Sequence, residues 1–428
     1  MKLCIRNAEM KGKRVDLVTE GGRIRSIRPH DRTSPSCSGA ELDEIIEADG
    51  NYLVPSLKNG HTHAAMTLLR GYADDMKLKP WLEEKIWPVE EALTAEDIYW
   101  GTRLAAIEMI RTGTTFSNDM YIHFPEARKA YVDSGIKAAT GPAMFDFFDE
   151  ETSQRIIEEN RRFYEEYAGS SDTVRFSLAP HSIYTVSAKT LQWTAEFAEE
   201  HELPVHIHLS ETEKEVKDCI DEHGMRPAEY LKEIGFLGPR TVLAHSIWLS
   251  DEEVSIISES GATVVHNPAS NMKLASGSCF PYARLREAGV PMMLGTDGCS
   301  SNNNLDLFEE AKLATLLQKH HFGDTELMSA EEILDIAMSA STSVYPHLSG
   351  SVAEGAHADL LLIDKTHPLM VPAFNLESNL VYSGGSRAID TVICGGEVLM
   401  HEGRIEGEEE VVEAARERAA NLQRRVKG

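Results

Sequence analysis

Along the middle of this chain, short apolar runs alternate with stretches of helical period. Eight of the runs read as buried strands. The first, Tyr52-Leu53-Val54-Pro55-Ser56-Leu57, leads into Asn59-Gly60-His61-Thr62-His63, where the strand is expected to end. The others span 113–117, 136–140, 174–179, 204–208, 241–245, 262–266 and 290–295. Helices are expected between most of them. One covers 94–111 and opens on the Thr94-x-x-Asp97 capping pattern; 187–200 and 250–260 are two more. Strand and helix repeated eight times is the pattern of a (β/α)8 barrel.

Both ends of the chain depart from that pattern. Leu3-Cys4-Ile5, Val15-Asp16-Leu17-Val18 and Arg23-Ile24-Arg25-Ser26-Ile27 read as short strands, with Gly21-Gly22 as a hairpin turn. Residues 33–39, rich in Ser, Pro and Thr, read as a loop. Strand character returns at 358–363 and 391–394, and Gly395-Gly396 precedes Glu397-Val398-Leu399-Met400. The expected organisation is a small β-sandwich domain built from both termini (1–55 plus 350–428) around the α/β barrel (56–349). Residues 408–426, with charges of both signs, close the chain as a helix.

Composition narrows the function more than the fold. At 428 residues the chain can bury a sizeable core, so neither metal nor disulfides are needed to hold it together. A net charge of −27 argues against nucleic acid or anionic membrane as a partner, because phosphate contacts would be repelled over most of the surface. Six scattered cysteines without a Cys-x-x-Cys predict no zinc finger, redox motif or disulfide framework. No apolar run approaches a membrane span, and the expected location is cytoplasmic. The bulky apolar residues of the middle could support a homo-oligomer, although nothing singles out an interface.

The chemistry collects where the strands end. His61 and His63 share one side of an extended backbone, as two ligands of one metal ion must. The fourth strand ends at Pro180-His181-Ser182, the fifth at His208-Leu209-Ser210-Glu211 and the sixth at His245-Ser246. His266-Asn267-Pro268 follows the seventh strand and Gly295-Thr296-Asp297-Gly298 the eighth. Catalytic groups of such barrels sit at these C-terminal strand ends, and core packing gives no reason for six to finish in His, Glu or Asp. Three imidazoles (His61, His63, His208) and the Asp297 carboxylate suit one divalent metal, Zn2+ first, with Fe2+ or Mn2+ as alternatives. His206 has the same i, i+2 relation to His208, and the choice of His208 rests on Glu211 three residues later. A hydrolytic site needs a water acidified by the metal and a carboxylate to carry its proton to the leaving group. Glu211 is placed for that carriage, His245 could polarise the attacked centre, and Asp297 could double as a proton acceptor. No lysine ends the fourth strand, which favours a single metal.

Taken together, Pro55 to Met66, Pro180-His181-Ser182, His206 to Glu211, Ala244-His245-Ser246, His266 to Asn271 and Gly295 to Gly298 resemble the amidohydrolase superfamily. The likeness is greatest to its branch of S-adenosylhomocysteine/5′-methylthioadenosine deaminases and related chlorohydrolases. It implies a distorted TIM barrel with a small β-sandwich, one metal ion, and hydrolytic deamination of an adenine nucleoside to the inosine analogue plus ammonia. It also implies that Glu211 protonates the ring nitrogen beside the attacked carbon. By the same resemblance His181 contacts substrate, Trp81 belongs to a nucleoside-binding segment, and Glu90 receives the ribose hydroxyls, which suits a carboxylate.

Two departures bear on the substrate. Branch members that take adenosylhomocysteine are expected to offer arginine to its carboxylate from the region after the third strand. Here that region, 141–151, is apolar and acidic, and Arg155 is the next arginine. An acidic, aromatic lining would favour a neutral 5′ group, pointing to 5′-methylthioadenosine, 5′-deoxyadenosine or adenosine. Ser56 and Lys58 stand where the motif usually has Gly and then Val or Ile. Guanine, a pterin, a chlorinated triazine or a cyclic amide would use the same metal chemistry, and a non-catalytic scaffold is the remote alternative.

Overall fold

A computed structural model of the chain describes residues 2–31, 42–339 and 344–427. The loop expected at 33–39 lies outside the described residues.

The N-terminal segment supplies β1 (Leu3–Met10), β2 (Lys13–Glu20), β3 (Arg23–Pro29), β4 (Glu44–Glu47) and β5 (Tyr52–Pro55). The middle gives β6 (Leu57–Thr62), β7 (Thr114–Tyr121), β8 (Lys137–Met144), β9 (Val174–Phe176) and β10 (Ala179–Pro180). It continues with β11 (Val205–Leu209), β12 (Thr241–His245), β13 (Thr263–His266) and β14 (Met292–Leu294). The C-terminal part adds β15 (Leu360–Ile363), β16 (Ile389–Cys394) and β17 (Glu397–Met400).

Strands β6 to β14 form the barrel. Neighbours are parallel throughout, in the order β10-β8-β7-β6-β14-β13-β12-β11, with β9 beside β8. A parallel bridge between Leu178 and Val205 closes the ring. The fourth barrel strand is thus split into β9 and β10. Strands such as β11 and β12 are buried along their whole length, as parallel strands covered on both faces must be. The expected helices are Ala95–Arg111, capped by Thr94 and Asp97 in a reciprocal box, Ala188–His201 and Asp251–Ser260.

Eight strands from the two ends form a second sheet, β17-β16-β15-β5-β1-β2-β3, with β4 also on β1. Leu3, Ile5, Leu17, Ile24, Leu53, Leu360 and Ile393 are among its core residues. Gly21 and Gly22 turn β2 into β3 with φ of 58° and 76°, the left-handed pair that a tight hairpin requires. The sequence reading of Tyr52 to Leu57 as one strand needs correction: the chain changes sheets at Ser56. β5 pairs with β15 and β1, whereas β6 enters the barrel.

Beneath the barrel, Lys137 at the start of β8 places Nζ 2.7 Å from both carboxylate oxygens of Asp359, just before β15. Asp359 also accepts the Gly395 N–H at 2.7 Å. Lys58 is wholly buried beside them and donates to the Ser56 carbonyl and hydroxyl; burial pushes its ammonium down to about 8. The closing helix, Glu408–Lys427, lies against Ala95–Arg111 through the pairs Arg425–Asp97, Arg418–Glu96 and Arg111–Glu408. Cys219, Cys279, Cys299 and Cys394 are free thiols, as the scattered spacing predicts, but Cys4 is disulfide-bonded, which it does not predict. Among the described residues no helix is long and apolar enough to cross a membrane.

Candidate active site

At the C-terminal mouth of the barrel, β6, β11 and the end of β14 bring four side chains to one point. Nε2 of His61 and Nε2 of His63 each stand 3.3 Å from Asp297 Oδ1, and His208 Nε2 stands 3.3 Å from His63 Nε2. His245 joins His61 and His208, with all three ligand atoms within 4.8 Å of one another.

Each imidazole is oriented from behind. His63 Nδ1 donates to the Met120 carbonyl and His208 Nδ1 to the His181 carbonyl, both at 2.7 Å. That fixes the tautomer and leaves Nε2 with a free lone pair. His61 Nδ1 shares a 2.8 Å hydrogen bond with His206 Nε2. His206 therefore lies behind a candidate ligand, and His208 is the member of the pair that faces the centre. Asp297 is held by Ser270 Oγ and Ser301 Oγ, which donate to Oδ2 at 2.6 and 2.9 Å. Oδ1 accepts the Gly298 N–H at 2.8 Å and faces the histidines, and the backbone there is left-handed at φ 60°.

A divalent cation fits this donor set. His61 Nε2 is fully buried without a hydrogen-bond partner, a costly state unless a further group binds it. Burial pushes the His61 imidazolium down to about 4, which keeps the ring in the neutral, ligating form. At His63 burial also lowers the pKa, but Asp297 and the Met120 carbonyl outweigh it and lift the ring to about 9. Positive charge is thus favoured between His63 and Asp297, where a cation would sit.

Glu211 and His245 face each other beside the cluster, with Oε2 and Nε2 4.0 Å apart. Burial raises the Glu211 carboxyl above its ordinary range, bringing its proton affinity closer to neutral pH. His245 donates from Nδ1 to Asn271 Oδ1 at 2.8 Å, which turns Nε2 toward Glu211. Its backbone is left-handed, φ 68°, and so is that of Ser246. Such strain in non-glycine residues collects at functional sites.

From the cluster a pocket runs outward past His181 to Trp81 and Glu90. The helical segment Leu78–Trp81, Leu82–Ile86 and Trp87–Glu90 forms its roof. Trp81 donates from Nε1 to the Ala73 carbonyl at 3.0 Å, and Tyr121 donates its hydroxyl to Glu90 Oε1 at 2.7 Å. Nδ1 of His181 lies 2.9 Å from Thr185 Oγ1, and the ring sits 4.5 Å from that of Phe145. All seven residues expected from the sequence to bind metal or substrate (His61, His63, His208, Asp297, Trp81, Glu90, His181), together with Glu211 and His245, share this site. His266 does not join them; it stacks on Phe280 at 4.1 Å, away from the cluster.

The lining also differs from the expectation. The acidic side chains of 141–151 do not line the pocket. Asp146 Oδ1 accepts the N–H groups of Phe148 and Ser187, and Oδ2 the hydroxyls of Ser187 and Thr190. Asp149 caps its helix and Glu150 pairs with Lys189. That segment gives the pocket Ala143 and Phe145 instead, and Phe147 packs edge-on to Trp87 at 6.1 Å. Among the described residues no lysine or arginine lines it. Arg155 pairs with Glu159 along the helix that Asp149 caps. The wall is aromatic and neutral rather than acidic.

Sequence reasoning missed His206, Asn271, Ser270, Ser301 and Tyr121 as orienting partners. For His206 the second His-x-His was a visible signal, considered only as a rival ligand. Ser270 and Asn271 lie within the His266 to Asn271 motif, which signalled the segment but not their roles; Ser301 and Tyr121 carry no local signature.

Comparison with known proteins agrees with this geometry. Residues 52–399 match the model of the amidohydrolase family. The chain is 48% identical over 387 residues to the 5′-deoxyadenosine deaminase of Methanoregula boonei, covering 90% of this chain and 88% of that one. It is 44% identical over 414 residues to 5-methylthioadenosine/S-adenosylhomocysteine deaminase 1 of Archaeoglobus fulgidus, covering 95% of each. A zinc-bound adenosine deaminase from Xanthomonas campestris superposes with a TM-score of 0.89 at 30% identity, over 99% of this chain and 98% of that one. With a family match across most of its length and relatives near half identity, this chain belongs to the amidohydrolase family.

Proposed function

We propose that the protein is an aminohydrolase that deaminates adenine nucleosides bearing a small neutral 5′ group, namely 5′-deoxyadenosine, 5′-methylthioadenosine or adenosine. The observation that carries this reading is that one pocket is lined both by Glu211 and members of the metal-ligand cluster and by the Glu90 carboxylate. A purine beside Glu211 would bring its ribose hydroxyls toward Glu90.

His61, His63, His208 and Asp297 hold one divalent cation, which we take to be zinc. When bound, the cation supplies Lewis acidity, which lets water lose a proton near neutral pH. Asp297 is placed to take that proton and His245 to orient the attacked carbon through Nε2. Glu211 gives its proton to the ring nitrogen beside that carbon, then takes the proton of the added hydroxyl as the carbonyl forms and passes it to the departing amine. The proton held by Asp297 returns Glu211 to its starting state. His181 and Trp81 hold the base between them. We further propose that 56–349 is the catalytic unit and that 1–55 plus 350–428 form the accessory one.

The test is ammonia release by zinc-loaded protein from adenosine, 5′-deoxyadenosine, 5′-methylthioadenosine, S-adenosylhomocysteine, guanine, cytosine and a pterin. Turnover of the small-tailed adenosines with little on S-adenosylhomocysteine is expected, because the aromatic wall gives its carboxylate no cation. Activity on free bases alone would overturn the nucleoside assignment. For Glu90→Gln, losing a charged hydrogen-bond acceptor is expected to raise KM for nucleosides about 10- to 100-fold. An unchanged rate at low substrate would remove Glu90 from the ribose.

A further inference from the structure

The helix Glu213–His223 begins at Thr212, whose hydroxyl accepts the Glu215 N–H at 3.2 Å. A glutamate three residues after such a cap ordinarily turns back onto the N–H of the capping residue itself. Glu215 keeps that contact with Thr212 and also reaches further. One carboxylate oxygen accepts the Ser210 N–H at 2.6 Å and the other the Glu211 N–H at 2.8 Å. Ser210 lies in the left-handed region at φ 48°, so the chain bends sharply just where it is gripped.

The Glu211 side chain is tethered by nothing comparable. Among the described residues no hydrogen bond reaches its carboxylate, which has only His245 Nε2 at 4.0 Å. Its aim into the pocket is therefore set from its own backbone. Glu215 is itself 5% exposed, and removing a second carboxylate from water so near the first is unfavourable unless its acceptors are used. Both oxygens are used on the consecutive N–H groups of Ser210 and Glu211.

We propose that Glu215 is a positioning residue for the deamination: by clamping the main chain at Ser210 and Glu211, it holds the Glu211 carboxylate in reach of the ring nitrogen and the leaving amine. This rests on the role given to Glu211 above. Proton carriage works only within hydrogen-bond reach, so a slackened loop lowers turnover without altering the cation site or the ribose contact.

The experiment compares zinc-loaded wild type, Glu215→Gln, Glu211→Gln, the double variant and Thr212→Ala on 5′-deoxyadenosine at high enzyme concentration. Glutamine keeps the shape of Glu215 but turns an amide NH2 against one of the clamped N–H groups. A misplacement of about an ångström predicts a kcat lower by roughly 10- to 100-fold for Glu215→Gln. KM should stay within about twofold and zinc stoichiometry should be unchanged. On the Glu211→Gln background the same change is expected to cost nothing more. Thr212→Ala removes the cap but leaves the clamp, and should lower the melting temperature while keeping kcat. Equal losses on both backgrounds, a kcat loss in Thr212→Ala matching that of Glu215→Gln, or a wild-type kcat in Glu215→Gln would overturn the proposal. Full activity in Glu211→Gln alone would instead overturn the reading on which it stands.

Discussion

Glu211→Gln is expected to lower kcat by roughly 10²- to 10⁴-fold, the range that a positioned proton carrier contributes. Glutamine fills the same space and leaves the four candidate ligands untouched, so the variant should bind zinc as wild type does. KM should change little, because Glu90, Trp81 and His181 lie elsewhere in the pocket. The environment of Glu211 is what gives the carboxylate this weight. Burial raises its proton affinity, and the neighbouring Asp297 carboxylate adds to the rise while His245 and His63 beside it oppose it. A carboxyl raised in this way holds its proton more readily than an exposed glutamate does, which suits a group that must donate one. Ammonia release and zinc content on the same preparation form the check. A kcat within tenfold of wild type, with zinc in place, would mean that another group carries the proton.

The second large effect concerns stability. Asp359→Asn is expected to destabilise the protein by about 3–5 kcal/mol, because it strips a buried ammonium of its counter-charge. Lys137 would be left against a neutral amide, Lys58 would lose its nearest negative neighbour, and the clasp from β8 to β15 and Gly395 would open. Burial raises the Asp359 carboxyl, but Lys137 and Lys58 outweigh it and hold the group below its usual range. A carboxyl depressed in the folded state adds stability that is present above its unfolded value, about 4, and lost as pH falls further. Denaturant titrations of wild type and variant should therefore differ at pH 7 and converge toward pH 3. Curves that coincide at pH 7 would show that the lysines find other partners.

The sequence made the barrel readable because its strands are short, apolar and fully buried. β12 begins and ends at the expected residues, and the helix at 95–111 starts at the cap that Thr94 and Asp97 announced. The ligands were legible for a related reason: strand ends are local, and His61 with His63, His208 and Asp297 mark three of them. Legibility failed where meaning depends on distance. No local pattern separates β5 from β6, since both are apolar and only their partners, β15 and β7, distinguish them. The acidic run at 146–151 looked like pocket lining because composition does not reveal that Asp146 is consumed by four hydrogen bonds. Lys58 looked like a neutral departure from the motif, yet it sits fully buried at the clasp between the two sheets.

The order of strands in the terminal sheet also has a consequence for how the chain leaves the ribosome. β5 needs β15 on one side, with Tyr52 paired to Ile363 and Pro55 to Leu360. At synthesis rates of about 5–20 residues per second, some 300 residues take roughly 15–60 s to follow. Through that interval the first five strands present an open edge to solvent, the kind of template on which nascent chains pair wrongly. The whole barrel must be made, and can close, before its N-terminal neighbour is complete. Maturation of this protein therefore ends where its synthesis began, and its window of exposure to chaperones is set by the length of the catalytic barrel.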